Sequence, residues 1–85
     1  MSKYKVYLSK RAEKDLDNLS DLVANPILSA IANLAEELRP KGCKRLKGRE
    51  GYRIRIGNYR VIYIISDRQL IVEVIALGHR KDIYN

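Results

Sequence analysis

The feature that most constrains this chain is the alternation that begins at Gly51. Apolar side chains recur at every second position through GYRIRI, then YRVIYIIS, then QLIVEVIAL, and Gly57-Asn58 and Asp67-Arg68 separate the runs. A period of two belongs to half-buried strands, and the polar pairs between runs are turn residues, so the pattern predicts a three-stranded antiparallel meander. With Gly57-Asn58 as a two-residue hairpin turn, Ile56 faces Tyr59, Arg55 faces Arg60, Ile54 faces Val61 and Arg53 faces Ile62. Opposed residues share a side of the sheet. Arg53, Arg55 and Arg60 are therefore expected on one side, with Tyr52, Ile54, Ile56, Tyr59, Val61 and Tyr63 on the other, which helices can cover.

A second turn at Asp67-Arg68 would set Ile65 opposite Leu70 and Ile62 opposite Glu73. Ile62, Ile64, Ile71, Ile75 and Leu77 would then form an apolar strip on the arginine side. Two occupants fit such a strip: a partner peptide, or a loop or tail of the chain itself.

Ahead of the meander, Tyr4, Val6 and Leu8 alternate with polar neighbours as a first strand does, and Ser9 offers an N-cap. Ala12, Leu16 and Leu19 follow at spacings of four and three, predicting a short helix that ends near Asn18 to Ser20. A second helix carries Ile27, Ile31, Leu34 and Leu38 on one stripe and stops at Arg39-Pro40. Its N-cap is either Asp21, with Pro26 distorting the first turns, or Asn25, with Pro26 at the first helical position. Lys41 to Glu50 reads as a loop with at most a short edge strand. The expected architecture is α+β: one strand, two helices and an antiparallel meander in a single domain spanning residues 1–85.

Eighty-five residues leave no room for a second domain, and 46% hydrophobic residues suffice for one core. The longest apolar run, Val61 to Ile65, is too short to cross a bilayer, and the first nine residues lack a signal-peptide pattern, which points to the cytoplasm and away from membranes. Cys43 is the single cysteine and His79 the single histidine. No internal disulfide and no Cys/His metal site is expected, and Cys43 reads as an inert loop thiol. Neither a metal nor an organic cofactor is expected.

Seventeen Lys and Arg against ten Asp and Glu give a net charge of +7, which favours a polyanion or an acidic protein as partner. Setting Arg55 against Arg60 costs a few tenths of a kcal/mol up to roughly 1 kcal/mol, a conflict that a bound anion removes. Planar guanidiniums match phosphate oxygens, so the three arginines are candidate catalytic or phosphate-binding groups. Neutralisation by Glu73 and its neighbours, or splaying into water, is the bland alternative. The tail residues Gly78 to Tyr84 should emerge beside this face, where Arg80 would add a fourth cation and Tyr84 a ring on which a base can stack, unless Tyr84 packs on the core. Lys44, Arg45, Lys47, Arg49 and Lys81 are candidate RNA-backbone contacts, the loop charges among them otherwise reading as a solvated linker.

LKGREGYRIRIGNYRVIYII followed by VIALGHRKDIY resembles the RelE branch of the RelE/ParE toxin superfamily, over nearly the whole chain. The resemblance implies a microbial-ribonuclease-like fold and a toxin that cuts messenger RNA in the ribosomal A site. It also implies a small acidic RelB-like antitoxin as partner, alongside ribosome and mRNA. By position Arg53 and Arg55 stand where RelE toxins carry two catalytic lysines, Arg60 matches the transition-state arginine, and Arg80 and Tyr84 match the C-terminal arginine and tyrosine. The implied reaction is metal-independent: the ribose 2′-OH attacks the adjacent phosphate, leaving a 2′,3′-cyclic phosphate and a 5′-OH. Arginine is a poor general base, so the lysine-to-arginine departures leave the proton acceptor open, with His79 a secondary acid/base candidate. The chain stops one residue after Tyr84, so the C-terminal helix of some relatives is expected to be missing. Two other functions sit on the same sequence: a ParE-like inhibitor of DNA gyrase, and a non-catalytic RNA-binding or antitoxin-binding protein.

Overall fold

The computed structural model describes residues 3–81. Its elements in chain order are β1 (Lys5–Leu8), α1 (Lys10–Asp17), α2 (Asp21–Asn33), β2 (Lys44–Arg45), β3 (Tyr52–Ile56), β4 (Tyr59–Ser66) and β5 (Ile71–His79). The strands form one mixed sheet in the order β1-β5-β4-β3-β2.

The meander β3-β4-β5 is the expected one, and two strands extend it. β1 pairs in parallel with β5, from Lys5 opposite Ile71 to Leu8 opposite Val74. β2 adds a two-residue edge, Lys44 opposite Arg53 and Arg45 opposite Tyr52. The strand count thus exceeds the expectation by one short edge strand, and the first strand joins the sheet by a long-range contact.

Ser9 joins β1 to α1. Its Oγ accepts from the Ala12 N–H at 3.0 Å, capping the helix, and donates to the Ile75 carbonyl at 2.9 Å. α1 is tied to the sheet again by Asp15, whose carboxylate accepts from the Leu77 N–H at 3.3 Å. α2 begins at Asp21 with Ser20 in the N-cap position, one residue before the earlier of the two expected caps, and Pro26 lies inside the helix. The proline lacks the N–H that the Leu22 carbonyl would accept, and Leu22 is 89% exposed, so water can take that bond. α2 ends at Asn33, short of the expected stop: its last turns tighten into bonds such as Leu34 to Ile31 and Ala35 to Ala32. Leu38 therefore leaves the helical stripe, and its carbonyl accepts from the Tyr63 hydroxyl at 2.8 Å.

The core lies between the helices and one side of the sheet. Ala12, Ile27, Ile31 and Leu34 pack against Ile54, Val61, Tyr63, Val72, Val74 and Leu77. Among the described residues the other side of the sheet carries no helix.

The second hairpin differs from the expected register. Ser66 faces Ile71, Ile65 faces Val72 and Ile64 faces Glu73, so residues 67–70 form a four-residue loop. Leu70 adopts φ +56° there, a left-handed conformation that a leucine does not advertise. Tyr63 faces Val74 but Ile62 faces Ala76, so Ile75 is the extra residue of a β-bulge. The bulge reverses the alternation beyond it and sends Leu77 to the helix side, removing it from the expected strip.

Candidate functional site

The first hairpin has the expected register at every pair from Ile56–Tyr59 to Arg53–Ile62. Arg53, Arg55 and Arg60 accordingly project from the helix-free side of the sheet. β2 adds Lys44, the partner of Arg53, to that side, while Arg45 follows its partner Tyr52 to the other. One row across the sheet reads Lys44, Arg53, Ile62, Ala76, and the next reads Arg55, Arg60, Gly78. With strands about 4.8 Å apart and alternate residues about 6.8 Å along, these four cations fall within the span of a short stretch of phosphodiester backbone.

The cluster is not compensated. Among the described residues Arg11 pairs with Asp15 on α1, at 3.8 Å, and no ion pair involves these arginines. Glu73 shares the open side but stands further along it, between Ile64 and Tyr7. Arg60 Nε is buried and has no hydrogen-bond partner among the described residues. A buried unsatisfied donor costs on the order of 1–3 kcal/mol, more when charged, and an anionic oxygen would relieve it.

Arg53 is 6% exposed, the one buried charged side chain among the described residues. Burial, then the charges of Arg55 and Arg60, hold its pKa below the ordinary guanidinium value. The basic loop closes over the same side of the sheet. Leu46 is buried in a small cluster with Ile62 and Ala76 on the open side, and its N–H donates to the Gly51 carbonyl at 3.0 Å. Gly51 permits that closure: at φ +127° a Cβ would lie 3.0 Å from the Tyr63 carbonyl oxygen. The signal available in the sequence was Leu46 itself, the single apolar residue among the charges of the loop.

The remaining candidates divide. The Arg80 N–H donates to the Asn58 carbonyl at 2.8 Å, so the tail begins beside the β3-β4 turn, next to the Arg55–Arg60 pair. Lys47, Arg49 and Lys81 are exposed, the first two at the tip of the loop closed by Leu46 and Gly51. His79 faces Tyr59 on the helix side, ring centroids 5.5 Å apart and edge-to-face, and lines a cleft with Arg11 and Asp15. Its Nδ1 accepts from the Lys81 N–H at 3.2 Å. The sheet thus separates His79 from the arginines, because even-numbered residues of β5 beyond the bulge take the open side. Tyr84 lies outside the described residues. Among the described residues no three His, Cys, Asp or Glu side chains group as a metal site would need, and no helix is long and apolar enough to cross a membrane.

Two helices on one side of a mixed sheet and uncompensated cations on the other define a small α+β protein whose open face suits a polyanion. The chain belongs to the family of ParE toxins of type II toxin–antitoxin systems, whose model matches residues 6–84. It is a toxin of the RelE/ParE group. The candidate toxin RelE1 of Methanocaldococcus jannaschii is 38% identical over 80 residues, covering 87% of this chain and 89% of that protein. Among solved structures, the archaeal RelE–RelB complex from Pyrococcus horikoshii matches with TM-score 0.81 and 27% identity over 94% of this chain and 98% of that one. The RelBE2 toxin–antitoxin complex from Mycobacterium tuberculosis matches with TM-score 0.80 and 25% identity, over 91% and 98%.

Proposed function

We propose that this toxin is a ribosome-dependent endoribonuclease that cleaves messenger RNA in the A site with the open sheet face. The observation that carries the reading is Arg60, whose buried Nε has no hydrogen-bond partner among the described residues, with Arg55 beside it in its row and Arg53 in the next. In the reaction the ribose 2′-oxygen bonds to phosphorus and the bond to the 5′-oxygen breaks, giving a 2′,3′-cyclic phosphate and a 5′-OH. Charge builds on the non-bridging oxygens, where Arg60 and Arg55 stabilise it, while Arg80 serves the departing oxygen and Tyr84 orients the nucleotide. Arg53 stays protonated near neutral pH despite its lowered pKa, so it stabilises charge and does not accept the proton. That proton passes to water or to a phosphate oxygen. Lys44, Lys47, Arg49 and Lys81 contribute backbone contacts; Arg45, turned to the helix side at the sheet edge, contributes through long-range attraction.

The partner that silences the toxin is a small acidic antitoxin of the RelB type, a reading supported by the +7 charge and by matched structures that are toxin–antitoxin complexes. The toxin acts in the cytoplasm, where ribosome and messenger are. The ParE family model favours a second reading, inhibition of DNA gyrase.

Primer extension on a reporter messenger after brief induction separates the two. Cuts within codons that require translation of that messenger, and that fall at least about a hundredfold in Arg60→Ala, are expected from the loss of one transition-state donor. Growth arrest with an intact messenger would sink the nuclease reading and leave the gyrase reading in its place.

A further inference from the structure

The edge of β3 is only half covered. β2 pairs with Tyr52 and Arg53 and stops, so Ile54 to Ile56, paired with β4 on one side, have no strand on their outer edge among the described residues. In a two-residue hairpin the pair flanking the turn, here Ile56 and Tyr59, exchanges its main-chain hydrogen bonds. The N–H and C=O of Arg55 consequently point away from β4, to the open edge. A cavity of about 360 Å³ lies against that edge, between the end of α2 and the loop after it. Ala30, Ile54 and Ile56 give it apolar walls, and Asn33, Lys41 and Arg55 give it polar groups.

Resting on the reading of the open face as an RNA site, we infer that this cavity receives one nucleobase of the bound strand and supplies sequence preference. A base has two apolar faces and an edge on which a donor and an acceptor stand side by side. The cavity offers the complement twice, in the exposed Asn33 amide and in the main-chain N–H and C=O of Arg55. Arg55 links cavity and cleavage face, since its side chain belongs to the row with Arg60 while its backbone borders the cavity. A phosphate on that row therefore brings an adjacent base to the β3 edge, and Lys41 meets the next phosphate. A cavity formed by main chain and a helix end holds its donors and acceptors in fixed directions, which discriminating among four bases requires.

The test is an amide-resolved NMR titration of the full chain with four 2′-O-methyl homotrinucleotides, one per base, and with an abasic trimer of the same backbone. The methyl group blocks cleavage. All five ligands are expected to shift signals of the Arg55–Arg60 row, while only those with bases shift the Asn33 side-chain amide and the Arg55 and Gly42 N–H. The four base-bearing ligands should differ in affinity by roughly tenfold, the size of one bidentate contact to a base edge, and Asn33→Ala should compress that spread to about twofold. Equal effects of abasic and base-bearing trimers overturn the base pocket and leave the RNA face standing. No shift with any ligand overturns both, and an undiminished spread in Asn33→Ala overturns the role of the amide.

Discussion

At the scale of single residues, Arg53 shows how far alternation reaches. The period-two pattern places it on the open side of the sheet, where a charge is expected to be wet, yet it is 6% exposed, on the side where Leu46 packs on its neighbour Ile62. Alternation gives the side of a residue and says nothing of depth, which depends on a loop whose path no period encodes. A guanidinium crowded by two others is a poor contributor to stability: like charges set together on a sheet cost up to roughly 1 kcal/mol, which an apolar side chain of similar length removes. Arg53→Met is accordingly expected to raise the thermal midpoint by several degrees, at about 4–8 °C per kcal/mol for a domain of this size, while cleavage is lost. The pH dependence follows from the direction of the shift. The unfolded chain holds the Arg53 proton more tightly than the native protein does, but both states are protonated well below the lowered pKa, so the penalty is constant near neutrality. The gain in midpoint should be the same near pH 6 and near pH 8. A calorimetric gain that vanishes toward either pH, or a loss of stability, contradicts a guanidinium destabilised by its neighbours.

At the scale of elements, the two hairpins show which registers a sequence can specify. Gly57 adopts φ +59° in a two-residue turn whose glycine is visible in the chain, and every pair of the first hairpin follows from it. The second turn is carried by Leu70 at φ +56° in a loop without glycine, and the bulge at Ile75 is equally silent, so the expected register is displaced and Leu77 changes sides. Ser9 connects that bulge to α1: one hydroxyl accepts from the Ala12 N–H and donates to the Ile75 carbonyl. Replacing a capping serine by alanine typically costs about 1 kcal/mol, and here it also strips a partner from the bulge carbonyl. Ser9→Ala should destabilise the protein by about 1–2 kcal/mol in urea denaturation with an unchanged slope. Amide exchange should quicken in α1 and at Ile75 to Leu77, and not in the first hairpin. A loss confined to α1 would mean that the bulge does not depend on the serine.

At the scale of the whole molecule, the helices and the meander were legible because local periodicity writes them, whereas the parallel seating of β1 on β5 joins residues more than sixty positions apart and leaves no local mark. That seating and the two helices leave one side of the sheet free, and the distribution of charge on it turns a general excess of +7 into a directional site. The distinction has a measurable consequence. A protein that attracts RNA by net charge alone loses affinity with salt in proportion to all its cations, whereas a row engages a fixed number of phosphates. For single strands the slope of log affinity against log salt is about −0.7 per phosphate neutralised, so Lys44, Arg53, Arg55 and Arg60 together account for about −3 of it, and the contacts of Lys47, Arg49 and Lys81 add to that. Fluorescence anisotropy with a labelled single-stranded oligoribonucleotide, from about 50 to about 200 mM KCl, gives that slope directly. Arg60→Ala should flatten it by about 0.7, and Lys10→Ala, on α1 across the sheet, should leave it unchanged. If the two variants flatten the slope equally, the attraction belongs to the whole surface and the row has no special standing; if only Arg60→Ala does, the open face is where the phosphates lie.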